Sequence, residues 1–513
     1  MLKIKQLSYV FIFLSQIINA QNLDWDRNFG GSADEFLFDA IPTADYGILL
    51  AGGSLSGASK SKATSNFGKL DYWLWKIDEG GELKWERNFG GSENDICTVV
   101  IGTSDGGFLV GGNSASMPSE SKKAEYYGDF DFWILKLNAF GAVEWEKSFG
   151  GAGSEELVSI VETKDKGFLI LGNSSSGKSG NKTTPSFGGV DLYLIKVDKK
   201  GEELWQKSYG GNYNETAVKV LIWGADFLVG YNSNSTDSST DIEPLNDAKL
   251  LLINGNGDLI QQQELGGTGA DDLVDFALNG QDRVYCVLNS NSNVSGNKSL
   301  AAKDGTDIWM VELDTEFTVL KQHQFNYSQN DLAQGLELLE DRILISAKTD
   351  SRMEHGRLNS SFKVIQVDYS GSVTDEFSVA ADGENTIRKS LLARDNSLFL
   401  LGTGETKNTK GPRAFQRDFR VAKLKFKKSD KKQREKLEVI PNPVHNYTNF
   451  IVGFSFNTGK LLIHDIAGKL VHTQEINDRT IPFDASLLQP GIYVATVSTN
   501  SGQAVTKFIK ASN

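Results

Sequence analysis

Cysteine, histidine and proline are scarce in this chain, and basic charge is outnumbered. Two cysteines, Cys97 and Cys286, stand among 513 residues. Two thiols cannot build the disulfide framework of a small secreted domain. They fall in different repeats and on different predicted strands, so they read as separate buried thiols. Of five histidines, His445, His464 and His472 lie near the C-terminus, leaving His323 and His355 as poor material for a metal cluster. A net charge of −13 argues against a nucleic-acid partner, because phosphate binding needs a basic surface. It also disfavours docking on anionic lipid. The chain contains no HExxH, no GxSxG and no phosphate-binding loop. Nine prolines against 52 glycines suit short antiparallel strands joined by tight turns.

The first 20 residues stand apart. Lys3 and Lys5 precede an apolar stretch from Leu7 to Ile18, and Ala20 then meets the polar Gln21. This pattern predicts a secretory signal cleaved between Ala20 and Gln21. The stretch is too short for a membrane span, and no later segment is apolar enough for one. No cysteine follows the cleavage point, so no lipoprotein anchor is expected.

One phrase recurs along the chain: WDRNFGG at Trp25 to Gly31, WERNFGG from Trp85, WEKSFGG from Trp145 and WQKSYGG from Trp205. Fainter copies follow at Leu265, Phe325 and Phe377. A second phrase, DYWLWKID from Asp71, recurs from Asp131, Asp191, Asp247 and Asp307, with weaker copies from Ser361 and Asp418. Each phrase occurs seven times, at a period near 60 residues. A fixed period of this size means an array of supersecondary units. Each unit reads as four strands. Between Phe89 and Phe149 these are Asp95 to Thr103, Phe108 to Gly112, Phe130 to Asn138 and Val143 to Phe149. Asp105-Gly106 supplies the tight hairpin between the first two.

Seven four-stranded units predict a β-propeller. The last unit supplies only three strands, and Leu23 to Phe29 is an orphan fourth strand. Pairing the two would close the ring and hide two sheet edges. The phrases resemble the repeats of seven-bladed propellers in exported bacterial proteins, over residues 22 to about 426. That resemblance implies fold and exterior location, and no activity.

Residues 427 to 437 form a charged linker. The remainder, 438 to 513, reads as a small Ig-like β-sandwich. Pro441-Asn442-Pro443, Asp465 with Gly468-Lys469, Gly491 with Tyr493, and the terminal Lys-Phe-Ile-Lys run occur in order. This resembles the type A C-terminal sorting domain of the type IX secretion system of Bacteroidota. The resemblance implies the type IX machinery as a partner, and release or attachment at the outer surface. The expected organisation is therefore an all-β chain: signal 1–20, seven-bladed propeller 21–426, linker 427–437 and sorting domain 438–513.

An acid lies six residues after the aromatic or Leu of the first phrase in most copies: Glu35, Asp95, Glu155, Glu215, Asp271 and Asp331, with Glu384 one place late. Two readings stand open. The acids ring one mouth of the channel and hold a hard cation such as calcium, or each satisfies amides of its own turn. No other cofactor is expected. The Trp series and the third-strand aromatics keep strict register, which argues for packing between blades. The loops between second and third strands are Ser-, Lys- and Gly-rich and read as the variable part, where binding lives on a rigid scaffold. Loop aromatics Phe67, Tyr126, Tyr127 and Phe187 suit sugar stacking. Thr103 to Phe108 faintly resembles the Asp-box of sialidases without its closing aromatic. Lys136 to Trp145 resembles quinoprotein repeats without a cofactor site. The expectation is a surface-exposed binding module for a glycan, peptide or protein. The alternatives are a polymer-degrading hydrolase or lyase and a structural envelope component.

Overall fold

The computed structural model describes residues 23–235, 245–280, 282–303, 305–352, 358–380, 386–407, 415–425 and 436–512. The expected signal segment, most of the charged linker and Glu384 lie outside them. The described residues contain strands and turns and no helix, so none could cross a membrane as a helix.

Seven antiparallel four-stranded sheets follow one another along the chain. Blades one to six span 35–89, 95–149, 155–209, 215–265, 271–325 and 330–380. In blade two the strands run Asp95–Gly102, Phe108–Ser114, Asp131–Leu137 and Val143–Phe149, close to the expected bounds. Blade seven takes Thr386–Leu392, Leu398–Lys407 and Phe415–Leu424 from the end of the array. Its fourth strand is Leu23–Phe29, paired with Phe415–Leu424 from Leu23 opposite Leu424 to Phe29 opposite Phe419. The first strand of each blade packs on that of the next, and blade seven's packs on blade one's, so the ring is closed.

Burial grades outward as a propeller requires. Third strands such as Asp71–Ile77 are buried throughout, because both faces meet neighbouring blades. Fourth strands such as Leu259–Leu265 alternate exposed and half-buried positions and end on a buried one. The outer Trp residues clasp the next blade: Trp25 Nε1 donates to Glu79 O at 3.3 Å, Trp145 to Lys199 O at 3.2 Å and Trp205 to Gly255 O at 3.2 Å. The Trp register is thus a packing register, with the indole N–H finding a backbone partner. Cys97 and Cys286 are separate and buried, and burial pushes both thiols far up.

All seven inner strands carry a β-bulge at the same place, between Leu37 and Asp39 in blade one and at the equivalent pairs elsewhere. A bulge bends a strand and frees an amide. In three blades the preceding blade supplies the acceptor: Asp39 Oδ2 for Val100 N at 2.9 Å, Ser159 Oγ for Val220 N at 3.2 Å and Asp275 Oδ2 for Leu336 N at 3.0 Å; in two others the bulge's own Asp does, Asp39 for Ala40 N and Asp275 for Phe276 N, both at 2.8 Å.

The C-terminal unit is a sandwich. One sheet joins Leu437–Ile440, Tyr447–Val452 and Thr480–Asp484; the other joins Leu470–Ile476, Gly459–Asp465, Gly491–Thr499 and Gln503–Lys510. Its core contains Val439, Phe450, Leu461, Ile463, Phe483 and Phe508. The first strand starts at Leu437, one residue before the expected boundary.

Candidate functional site

The turn between blades explains the recurring Phe-Gly-Gly. The second glycine donates its N–H to the following acid: Gly31 to Glu35 Oε2 at 3.0 Å, Gly91 to Asp95 at 2.7 Å, Gly151 to Glu155 at 2.7 Å, Gly211 to Glu215 at 2.9 Å and Gly267 to Asp271 at 2.7 Å. Serine hydroxyls donate to the same carboxylates, such as Ser54 to Glu35 at 3.0 Å and Ser174 to Glu155 at 2.7 Å. Asp331 accepts from Tyr327 N at 2.6 Å and Ser328 N at 2.9 Å. The first glycine sits over the opening Asp of the preceding third strand. A Cβ on Gly150 would stand 2.6 Å from Glu155 Oε2 and closer still to Asp131 Oδ1. Among the described residues no three His, Cys, Asp or Glu side chains are gathered to hold a metal.

The turns at Gly30, Gly150, Gly210 and Gly266 therefore each face two carboxyls. The third-strand Asp uses Oδ2 to cap its own loop, as Asp131 does for Tyr127 N at 2.7 Å. Its Oδ1 has no hydrogen-bond partner at Asp71, Asp131, Asp191 or Asp247. Burial and a neighbouring acid push Asp71 and Asp131 up to about 6, and burial pushes Glu35 up to about 7. A buried lysine stands beside the acids in four blades. Lys122 Nζ donates to Ser116 O at 2.8 Å, Ala124 O at 3.1 Å and Glu125 O at 3.3 Å, and lies 5.7 Å over the Trp133 ring. Lys62, Lys182 and Lys298 repeat this over Trp73, Tyr193 and Trp309.

These lysines correct the reading of the loops as wholly variable. Residues 54–62, 114–122, 174–182 and 290–298 share Ser-x-Ser-x-x-Ser-x-(Ser/Asn)-Lys. The serines and the lysine hold the loop to the turn, and the intervening positions change freely. The motif was present in the sequence, hidden because its spacers differ. The loop aromatics occupy one structural position in three consecutive blades. Phe67 N donates to Asp71 at 2.6 Å, Tyr127 N to Asp131 at 2.7 Å and Phe187 N to Asp191 at 2.8 Å. Phe67 and Phe187 are 52% and 53% exposed, and Met117 65%. Tyr126 and Tyr127 are half-buried.

Sequence reasoning passed over the inner bulge positions, where the repeat breaks down. They carry Asp39, Val99, Ser159, Lys219, Asp275, Gly335 and Lys389. Lys389 pairs with Asp39 at 2.5 Å and Lys219 with Asp275 at 2.8 Å, each joining adjacent blades. Departure from an otherwise strict repeat was the available signal.

The sandwich docks on the face of the ring opposite these loops, under hairpins of blades seven, one and two. Arg394 pairs with Glu438 at 2.9 Å, Arg479 with Glu79 at 2.7 Å and Lys84 with Asp478 at 2.8 Å. Tyr46 donates its hydroxyl to Glu438 at 2.8 Å. The two units enclose a cleft of about 460 Å³ lined by Trp85, Phe108, Ile440, Pro441, Ile476 and Ile481, among others. The expected sorting residues build the sandwich itself. Asn442 Oδ1 accepts from Ile509 N at 3.0 Å, and Pro441 O from Thr448 Oγ1 at 2.9 Å. Asp465 Oδ1 accepts from Lys469 N at 2.9 Å, across a hairpin in which Gly468 has φ +82°. Tyr493 begins beside Gly491 and stacks on Phe508 at 5.5 Å. Pro443 lies in the turn between the first two strands.

Residues 438–511 match the family described as a secretion system C-terminal sorting domain. The chain also resembles the regulatory protein FlaEY of Caulobacter vibrioides, 23% identical over 176 residues, which is 33% of this chain and 18% of that protein. It thus spans less than a fifth of the length of that relative. Solved structures with a similar course include the WD40 domain of Neurospora crassa Pan2, 9% identical with TM-score 0.43, covering 78% of this chain and 91% of that one. An ancestral GH74 enzyme is 11% identical with TM-score 0.38, covering 94% and 63%. The propeller assignment rests on the strand pairing described above and not on these likenesses. The ring and its tail together define an exported β-propeller protein. The tail marks it for type IX secretion to the cell surface or the extracellular space.

Proposed function

We propose that the propeller is a binding module and that its ligand is a glycan chain laid over the loop face of blades one to three. The supporting observation is the row Phe67, Tyr127 and Phe187. Each ring is presented at the same position by a loop anchored to a buried Asp, on the face that the sorting domain leaves free. Rigidly held aromatic faces suit the apolar faces of sugar rings, because little ordering entropy remains to be lost. On this reading the N-terminal segment directs export and is cut between Ala20 and Gln21, and the tail delivers the ring to the outer surface of a bacterium of the Bacteroidota.

The test compares the full chain with a Phe67→Ala, Tyr127→Ala, Phe187→Ala variant on a glycan array. Binding should drop at least about tenfold, equivalent to roughly 1.4 kcal/mol, with the urea midpoint unchanged. Retained binding by the variant would refute the aromatic site. Turnover of a polysaccharide by the wild type would replace a binding module with an enzyme.

A further inference from the structure

The junctions between blades contain an imbalance that hydrogen bonds do not resolve. At the junction of blades two and three, Asp131 is fully buried and its Oδ1 has no donor. Glu155, also fully buried, faces it across the Gly150 α-carbon. Asp191 with Glu215 across Gly210 and Asp247 with Asp271 across Gly266 repeat the arrangement; Asp418 and Glu35 also meet across Gly30, but there Gln416 Nε2 donates to Asp418 Oδ1 at 2.7 Å. Two buried anions in contact repel and lose hydration. Buried ammoniums stand between successive pairs. Lys122 faces Asp95, Asp131, Glu146 and Glu125, and Lys182 faces Glu155 and Asp191. The other titratable groups facing the Asp131–Glu155 pair are Tyr193 and Tyr127. Each lysine is shared by two successive pairs, so one ammonium stands against two carboxylates per junction, and electroneutrality calls for a single further positive charge at each. The space offers two carboxyl oxygens and no third acid, which does not suit a hard cation wanting six or more oxygens.

We propose that each of these junctions is a proton-binding site, holding one proton between the third-strand Asp and the acid that opens the next blade. The proton supplies the missing donor to Asp131 Oδ1 or to its partner, leaving one net negative charge opposite the lysine. Folding of the ring therefore takes up protons in mildly acidic solution, toward pH 6, where the folded protein is less negative than its carboxylate count implies.

The sign follows from linkage. A carboxyl with a raised folded pKa binds more proton when folded. The stability it contributes is complete below the unfolded pKa near 4 and is lost as pH rises through the folded value. Here that window runs up through about 6 for Asp71 and Asp131 and about 7 for Glu35 and Asp247, all raised first by burial.

The experiment follows thermal unfolding of the full chain between about pH 5 and pH 8, for wild type and for an Asp71→Asn, Asp131→Asn, Asp191→Asn variant. Asn keeps the acceptor for the loop amide and replaces the proton with a permanent N–H donor. Wild-type Tm should fall by roughly 5–10 °C across this range, and the variant's slope should be clearly flatter. An equal slope in the variant, or a Tm rising with pH, overturns the proposal. Should the variant not fold, infrared spectra of the native wild type decide. Protonated-carboxyl absorption persisting at about pH 6 and lost by about pH 8 supports the sites, and its absence refutes them. Calcium added at pH 8 should leave Tm unchanged; a large calcium-dependent rise would make the sites cation sites instead.

Discussion

Replacing Lys122 with methionine isolates the contribution of one buried ammonium. The side chain is fully buried and its Nζ donates to three carbonyl oxygens, of Ser116, Ala124 and Glu125. Lys122→Met conserves most of the stem's volume over Trp133, so the cavity cost is small. What is lost is the charge and all three donors. The carbonyls and the carboxylates of Asp95 and Asp131 remain, sealed from water. Removing one partner of a buried charge group costs about 3–5 kcal/mol. The cation–π contact adds about 0.5–2 kcal/mol. A total loss of about 3.5–7 kcal/mol should appear as a lower urea midpoint, followed by Trp fluorescence. Lys123→Met, at the exposed neighbouring position, should stay within about 0.5 kcal/mol of wild type. The loss should be larger at about pH 8 than at pH 5.5, since without the ammonium both acids favour the protonated form. A loss below about 1 kcal/mol, or one equal to that of Lys123→Met, would refute the idea that these lysines hold the loops to the turns.

Two further outcomes follow from the same geometry. Gly150→Ala should cost about 1–3 kcal/mol by overpacking, because its Cβ would intrude on Asp131 and Glu155, whereas Gly177→Ala, with open space around it, should be neutral or slightly stabilising; calorimetry on both distinguishes them. Reversing charge at Glu79→Lys and Glu438→Lys breaks two ion pairs under the ring, each worth about 0.2–1 kcal/mol, together with the Tyr46 hydrogen bond to Glu438. The sorting domain should then swing free and raise the radius of gyration in solution scattering, while an unchanged radius would show that other contacts hold it.

The ring was legible in the sequence because its elements are local and repeated. Trp25, Trp85, Trp145 and Trp205 announce the outer strands, and the surplus strand at Leu23 announces closure. Structural needs recur in every blade, so repetition made them visible. The loops were harder to read. Ser54, Ser56 and Lys62 work through atoms several residues apart, and free spacers between them masked the shared frame. The proton sites were not visible at all. Asp131 and Glu155 belong to different phrases, and only folding brings them to either side of Gly150. The bulge positions failed for the opposite reason: Asp39, Ser159 and Lys219 share a task but not a chemistry, since each finds a different way to satisfy or pair with the next blade.

Closure by the N-terminal strand also sets an order of events. Blades one to six draw their strands from contiguous chain, so each can form as soon as its own residues are available. Blade seven needs the first described strand and the last strand of the array together, the longest separation the ring contains. Contacts so distant in sequence are slow to form, because the loop-closure entropy is lost before any pairing is gained. Until then Leu23–Phe29 and Phe415–Leu424 each keep an unpaired edge. A chain that must cross an envelope thus carries its final latch in two halves, which meet only after the whole array has emerged.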